Sequence, residues 1–220
     1  MKKLMERFLP KADRQKIESC IREAESRTRG EIMIVVVLAS SHYPVADLRA
    51  AAAFAFPLAV ALTPLLGGLF WAGPFNLWIF LGALIPLFLV FQAAVRHLLS
   101  LKRVFISDRE MEAEVKEAAE MQFFQKGVYR TRQATGVLIY LSVFERKVWV
   151  LGDRGINAGI PEGYWKGVVE AIVQGIREGR PAESICRAVA LVAEVLAEKL
   201  PVKPGDTDEL KNLIVEDRRA

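Results

Sequence analysis

The chain is poor in the residues that most often do chemistry. It has two histidines and two cysteines in 220 residues. The patterns DxDx(T/V), CX5R and a paired His-Asp metal cluster do not occur. A nucleophile with a base beside it therefore cannot be assembled by spacing alone, which argues against ready-made phosphoryl or acyl transfer. Cys20 and Cys186 match no metal or redox spacing and fall in expected helices, which reads as reduced, buried thiols in a cytosolic setting. No stretch interleaves basic residues with aromatics, and Gly152-Asp153-Arg154-Gly155 carries an acid where an RNA-gripping GXXG loop would meet phosphate. Despite a pI of 9.1 and a net charge of +4, nucleic acid is not expected as a partner. No internal repeat or low-complexity segment appears outside the apolar region described next.

Charge itself is missing from one long region. From Ala50 to Val95 there is no Asp, Glu, Lys, Arg or His, and hydrophobic residues make up 52% of the chain with a mean hydropathy of +0.23. A membrane-crossing helix needs about 20 predominantly apolar residues, so this run is long enough for two. Gly67 to Asn76, GGLFWAGPFN, supplies the turn, with Trp71 and Trp78 beside it as interfacial aromatics. The expected hairpin runs from Ala50 to Phe70 and from Leu77 to Val95. Arg49 precedes it; Arg96, His97, Lys102 and Arg103 follow it; the turn carries no charge. The positive-inside rule then puts both termini in the cytoplasm, with an integral membrane protein of a bacterial inner membrane and a lipid bilayer partner as the expectation. The N-terminal MKKLMERFLPKADRQ leads into no apolar core of a cleavable signal peptide.

The polar parts alternate helix and strand. Ile17, Cys20, Ile21 and Ala24 make one helical stripe over Lys11 to Arg27, stopping at Thr28-Arg29-Gly30. EIMIVVVLA, Glu31 to Ala39, reads as a strand buried on both faces. Ser107 and Glu110 have capping-box spacing at the start of a helix running to about Gln125. Gly136 to Phe144 and Lys147 to Gly152 are strands joined so briefly at Glu145-Arg146 that they must pair antiparallel. Pro161 and Pro181 are read as first-turn prolines of two helices, Glu162 to Glu178 and Ala182 to Leu200. The first buries Trp165, Val168, Val169, Ile172, Val173 and Ile176, the second Ile185, Val189, Val192 and Leu196. The crossover from the first strand to the second is parallel and right-handed, giving a small α/β sandwich with helices on both faces, interrupted by a two-helix transmembrane hairpin. The expected parts are 1–47, the hairpin 48–98, 99–201, and a flexible tail 202–220.

RTRGEIMIVVV, an acidic helix, YRTRQATGVLIYLSVFERKVWVLGDRGI, a proline-led helix with Trp165 and a last helix ending in Leu-Pro together resemble the TPM domain family. The resemblance covers about residues 10 to 201, and Thr135 to Ile156 is its most specific part. It implies a Rossmann-like α/β sandwich. It also implies activities that differ among relatives: acid phosphatase in a thylakoid-lumen protein, photosystem repair, and accessory work beside an acetylcholine receptor. The Asp-rich motif that many relatives carry before their first helix is absent here.

Two sets of charged residues bracket the third strand. Glu145 and Asp153 lie at opposite ends of it, roughly 25 Å apart at about 3.3 Å per residue, so they cannot share a substrate atom. Glu145-Arg146 reads as turn punctuation near Ser40, Ser41 and His42, while Arg146 and Lys147, with Arg49, Arg96 and Arg103, are candidates to face anionic headgroups. At the far end Glu31 and Asp153, with Thr135 and Arg154 nearby, are candidate ligands for a divalent cation. The opposing reading is that Arg154 or Arg29 neutralises the two acids. The function expected is a membrane-tethered accessory module with a protein partner, the alternative a metal-dependent acid phosphatase.

Overall fold

The computed structural model describes residues 2–71, 73–131, 134–161, 163–201, 210 and 212–219. They form two compact units, Met1–Ser41 with Glu112–Ala220 and, between them in sequence, His42–Met111.

The first unit is a mixed α/β fold around a four-stranded sheet of order β3-β2-β1-β4. Strand β1 (Glu31–Ala39) is buried along its whole length, as a continuous β-branched run requires of a strand with helices on both sides. It pairs in parallel with β2 (Gly136–Ser142), Glu31 opposite Gly136 and Val37 opposite Ser142. β2 pairs antiparallel with β3 (Lys147–Gly152). These are the pairings expected from the sequence. The fourth strand is not. β4 (Leu213–Arg219) lies parallel to β1, Ile34 opposite Leu213, so the segment expected to be a flexible tail ends in the sheet. Its inward Leu213 is buried, and an unpaired β1 edge would leave backbone donors exposed. The rest of the expected tail, apart from Leu210 and Asn212, lies outside the described residues.

Alternation along β1 divides the core. Ile32, Ile34, Val36 and Leu38 join Ile17 and Ile21 of α2 (Lys11–Glu25), Val168 and Ile172 of α8 (Tyr164–Arg177), and Ile185, Val189, Val192 and Leu196 of α9 (Pro181–Lys199). Met33, Val35 and Val37 meet Val115, Ala119 and Phe123 of α6 (Asp108–Gln125) on the other face. Two successive strand residues thus serve two helix layers, which is why the strand has no polar face. Trp165, Val169, Val173 and Ile176 are only partly buried against the first layer. α8 opens at Tyr164 after Gly163, not at Pro161, and the expected helix residue Glu162 lies outside the described set. Short helices α1 (Lys2–Phe8), α5 (Leu99–Val104) and α7 (Arg154–Asn157) were not expected. At the start of α6 the Glu110 amide donates to Ser107 Oγ at 3.1 Å, while the Glu110 carboxylate takes Arg49 at 3.2 Å.

The cysteines correct the sequence reading. Cys20 on α2 and Cys186 on α9 form a disulfide, 166 residues apart in sequence, with Cα atoms 5.6 Å apart, inside the range that two packed elements can bridge. Helical periodicity put Cys20 on the inward stripe of its helix but could not show that Cys186 of another helix lies against it.

The second unit holds α3 (Pro44–Leu69) and α4 (Leu77–His97), two helices long and apolar enough to span a membrane. Asn76 caps α4, its side chain accepting from the amides of Trp78 and Ile79, so the turn residue also starts the second helix. The buried face of α3 includes Ala51, Ala55, Ala59, Thr63 and Gly67, one small residue every four, a spacing that allows close helix approach without a large side chain between. A Cβ at Gly67 would stand 2.2 Å from Gly73 O, so the turn needs glycine there. Phe56, Leu65, Leu69, Leu77, Ile85, Leu89 and Val90 point outward. Lys102, taken from the sequence as a flanking charge, is buried instead. Its Nζ meets Asp47 at 2.8 Å and donates to the His42 carbonyl.

Candidate functional site

Three rows of the sheet end at one place. Glu31 is in register with Gly136, and the Asp153 amide donates to Gly136 O at 2.9 Å. Strand alternation gives Glu31, Gly136 and Asp153 the same face as Met33, Leu138 and Leu151, the face toward α6. Two carboxylates therefore flank a residue with no side chain, their Cα atoms about 10 Å apart across two strand spacings. The gap is filled from outside the sheet. A Cβ on Gly136 would lie 2.4 Å from Val128 O, so the carbonyl of the short 3-10 turn Val128–Arg130 occupies the space between the acids. Thr131 and Thr135 close the floor, both buried. The Thr135 amide donates to Thr131 Oγ1 at 2.9 Å, and the Thr135 hydroxyl donates to the Arg29 carbonyl at 3.4 Å.

Asp153 has no hydrogen bond from the Arg154 side chain that was proposed to neutralise it. Arg29 Nε donates to Pro201 O at 3.1 Å. Asp153 Oδ1 accepts the Arg154 backbone amide at 2.6 Å and so caps α7, while the Arg154 side chain is exposed. Asp153 Oδ2 is buried with no hydrogen-bond partner. A buried carboxylate oxygen left unpaired is costly unless something charged meets it. Among the described residues the groups at this end of the sheet include two carboxylates, a carbonyl and two hydroxyls. That is the chemistry of a hard cation such as calcium or magnesium. Among the described residues no group of three or more His, Cys, Asp or Glu is placed to hold a metal, so main-chain oxygen or water would have to complete any coordination shell.

The opposite end of β3 is arranged differently. Glu145, read from the sequence as turn punctuation, lies in that turn and is fully buried. Its carboxylate accepts the Ser40 amide at 2.9 Å and the Ser142 hydroxyl. Ser40 Oγ lies 3.1 Å from Tyr140 Oη. Burial pushes the Tyr140 phenol up to about 12, the Ser40 hydrogen bond partly offsets this, and the charges of Glu145 and Glu216 add to it; the phenol remains a neutral hydrogen-bonding group at ordinary pH. Ser142 is wholly buried, so this Ser-Glu pair has no access to a substrate. The four-residue turn Val143–Arg146 lets the strand run on, with Val143 N to Val37 O at 3.1 Å and Phe144 N to Leu38 O at 2.8 Å, and the carboxylate folds back into the space beneath.

The remaining candidates scatter. Arg146 is exposed with φ 54°, and Lys147 pairs with Glu112 at 3.7 Å. Arg49 pairs with Glu110, Arg96 is exposed in the last turn of α4, and Arg103 is half-buried on α5. Val128, Thr131 and Gly136 were not picked out from the sequence. Only the pairing of Glu31 with the glycine that begins β2 could have pointed to them.

The TPM domain family model matches residues 101–195, so the resemblance to that family is shown for the part of the chain after the hairpin. The fold is that of BA42, a protein from the psychrophilic bacterium Bizionia argentinensis solved by NMR, with a TM-score of 0.58 and 18% identity over 95% of this chain and 96% of that one. No curated protein matches the chain.

Proposed function

We propose that this chain is a membrane-anchored TPM-domain protein whose α/β unit works on the cytoplasmic face of a bacterial inner membrane as an accessory module for another protein. The observation that carries the reading is the place of the two apolar helices. They are inserted in the chain between β1 and the crossover helix α6, so a bilayer holding the hairpin tethers the domain through the chain on both sides of it. Arg49, Arg96, Lys102 and Arg103, which flank the charge-free run Ala50 to Val95, support cytoplasmic termini, since lysine and arginine count toward orientation even where acids pair with them. Reporters at either terminus should read as cytoplasmic, and protection of one terminus from protease in sealed vesicles of known orientation would refute the placement. Photo-crosslinking from Phe124 or Tyr129, exposed aromatics at the end of α6 and the turn after it, should give a discrete protein adduct in native membranes. Lipid adducts alone would remove the accessory role.

The alternative is a metal-dependent acid phosphatase, favoured by one observation, the buried unpaired Asp153 Oδ2. Glu31 and Asp153 would hold the cation, with Thr135 and Arg154 beside it, and the ion would polarise a phosphoryl oxygen. The detergent-purified chain should then release phosphate from an aryl phosphate only with calcium, magnesium or manganese, and Asp153→Asn should abolish it. No release with any of the three metals sinks this reading.

A further inference from the structure

We infer that Cys20 and Cys186 form a reversible redox clamp between α2 and α9, an inference that rests on the cytoplasmic placement proposed above. Disulfides that persist in a reducing cytoplasm are rare; those that form there are transient or sense redox state. Three observations suit this pair to opening and closing.

The first is that the interface does not depend on the bond. Ile17, Ile21 and Ala24 of α2 and Ile185, Ala188, Val189 and Val192 of α9 are buried in one cluster, so the helices stay docked when the sulfurs part. The second is access. Both cysteines are only half-buried, at the rim of that cluster beside the exposed pair Lys16 and Glu183, 3.9 Å apart. A thiol carrier can reach them without unfolding the core. The third is what the bond ties together. α2 leads into β1, and α9 ends where Leu200 O accepts the Arg29 amide at 3.0 Å and the Thr28 hydroxyl at 3.0 Å. The chain beyond α9 then supplies β4, which pairs with β1. The disulfide therefore restrains the two helices that lead to adjacent strands, and its opening loosens the β4 edge of the sheet first.

The chemistry balances with a dithiol carrier as co-reactant. A carrier thiolate attacks one sulfur, forming a mixed disulfide and releasing the other cysteine as a thiolate. The second carrier thiol displaces the mixed disulfide, leaving two protein thiols and an oxidised carrier, with two electrons and two protons moved to the protein. The reverse exchange with an oxidised carrier closes the clamp.

The test uses the full chain in living cells and, separately, in detergent. Cells are acid-quenched and alkylated with a maleimide of high mass, before and after a pulse of diamide and after its removal. The expected pattern is two modified cysteines at rest, none after the pulse, and two again on recovery. In detergent, dithiothreitol should lower Tm and raise amide exchange in β4, and neither change should occur in Cys20→Ser, which lacks the bond under all conditions. Two modified thiols after diamide, or a bond that survives at rest with termini shown to be cytoplasmic, would overturn the clamp alone. A permanent bond with termini shown to be outside would overturn the placement and the clamp with it.

Discussion

The two ends of β3 carry one acid each, and the acids are used in opposite ways. At the near end Glu145 is folded under its own turn, where Ser40 N and Ser142 Oγ both donate to it. At the far end Asp153 spends one oxygen on the cap of α7 and keeps the other buried and unpaired. A satisfied carboxylate is a clasp between strands, whereas a half-satisfied one leaves a buried oxygen without a donor. Proximity to conspicuous charges does not separate the two; the count of donors does.

The sharpest way to break the comparison is at the clasp. Glu145→Ala strands two buried donors at about 1–3 kcal/mol each, so a loss of roughly 2–6 kcal/mol is expected in denaturant melts of the detergent-solubilised chain. A variant within about 0.5 kcal/mol of the parent would mean that water replaces the carboxylate and that this end is open.

Trp165 tests how firmly the far end is held. Its Nε1 donates to Asn157 Oδ1 at 3.0 Å, and Asn157 Nδ2 donates to Gly152 O at 2.6 Å, tying α8 through α7 to the last residue of β3. Because the indole is only partly buried, Trp165→Ala should cost about 2–3 kcal/mol, below the roughly 3–5 of a fully buried aromatic. The same melts decide it, and an unchanged midpoint would show that α8 docks without the indole.

Tyr140 sharpens the clasp through pH. Its folded-state pKa of about 12 lies above the ordinary 10.0, so the folded state holds the proton more tightly. The stability this represents is complete below about pH 10 and is lost as pH rises toward 12, on the order of 2–3 kcal/mol over two units. Tyr140→Phe should flatten that part of the alkaline stability profile and cost about 1 kcal/mol near neutrality for the Ser40 hydrogen bond. An alkaline slope that survives the substitution would assign the titration to another group.

Asp153→Asn should give the smallest effect without added cation, about 1 kcal/mol or less, since the amide oxygen can still cap Arg154 N. With millimolar calcium, magnesium or manganese the parent should melt higher and the variant should not, because an ion bound only by the folded state adds stability that grows with its concentration. A parent indifferent to all three cations would leave the far end as an N-cap and nothing more.

Much of this architecture was legible in the residues. EIMIVVVLA can only be a strand covered twice, and the inward set of α9 follows from Ile185, Val189, Val192 and Leu196 at helical spacing. The parallel crossover and the brief antiparallel turn after Phe144 were legible, but that β2 lies between β1 and β3 was not. The candidate site was half legible: Glu31 and Asp153 were candidates at one end of the sheet on the condition that their strands are neighbours, but β2 lies between those strands, and Val128 O, Thr131 and the gap at Gly136 depend on a turn with no periodic signal. LIVEDRR was passed over because three apolar residues before four charged ones resemble a solvated tail until a free parallel edge is known to lie beside them.

Local pattern alone determined the long helices, the first three strands, the charge-free hairpin and the burial of β1 on both faces, because side-chain period and length are properties of a segment by itself. Tertiary structure alone decided the Cys20–Cys186 bond, the seat of β4, the burial of Glu145 and the unpaired oxygen of Asp153. Each of these depends on which distant group arrives within a few ångströms, a distance set by the packing of helices on both faces of the sheet and carried by no single stretch of chain.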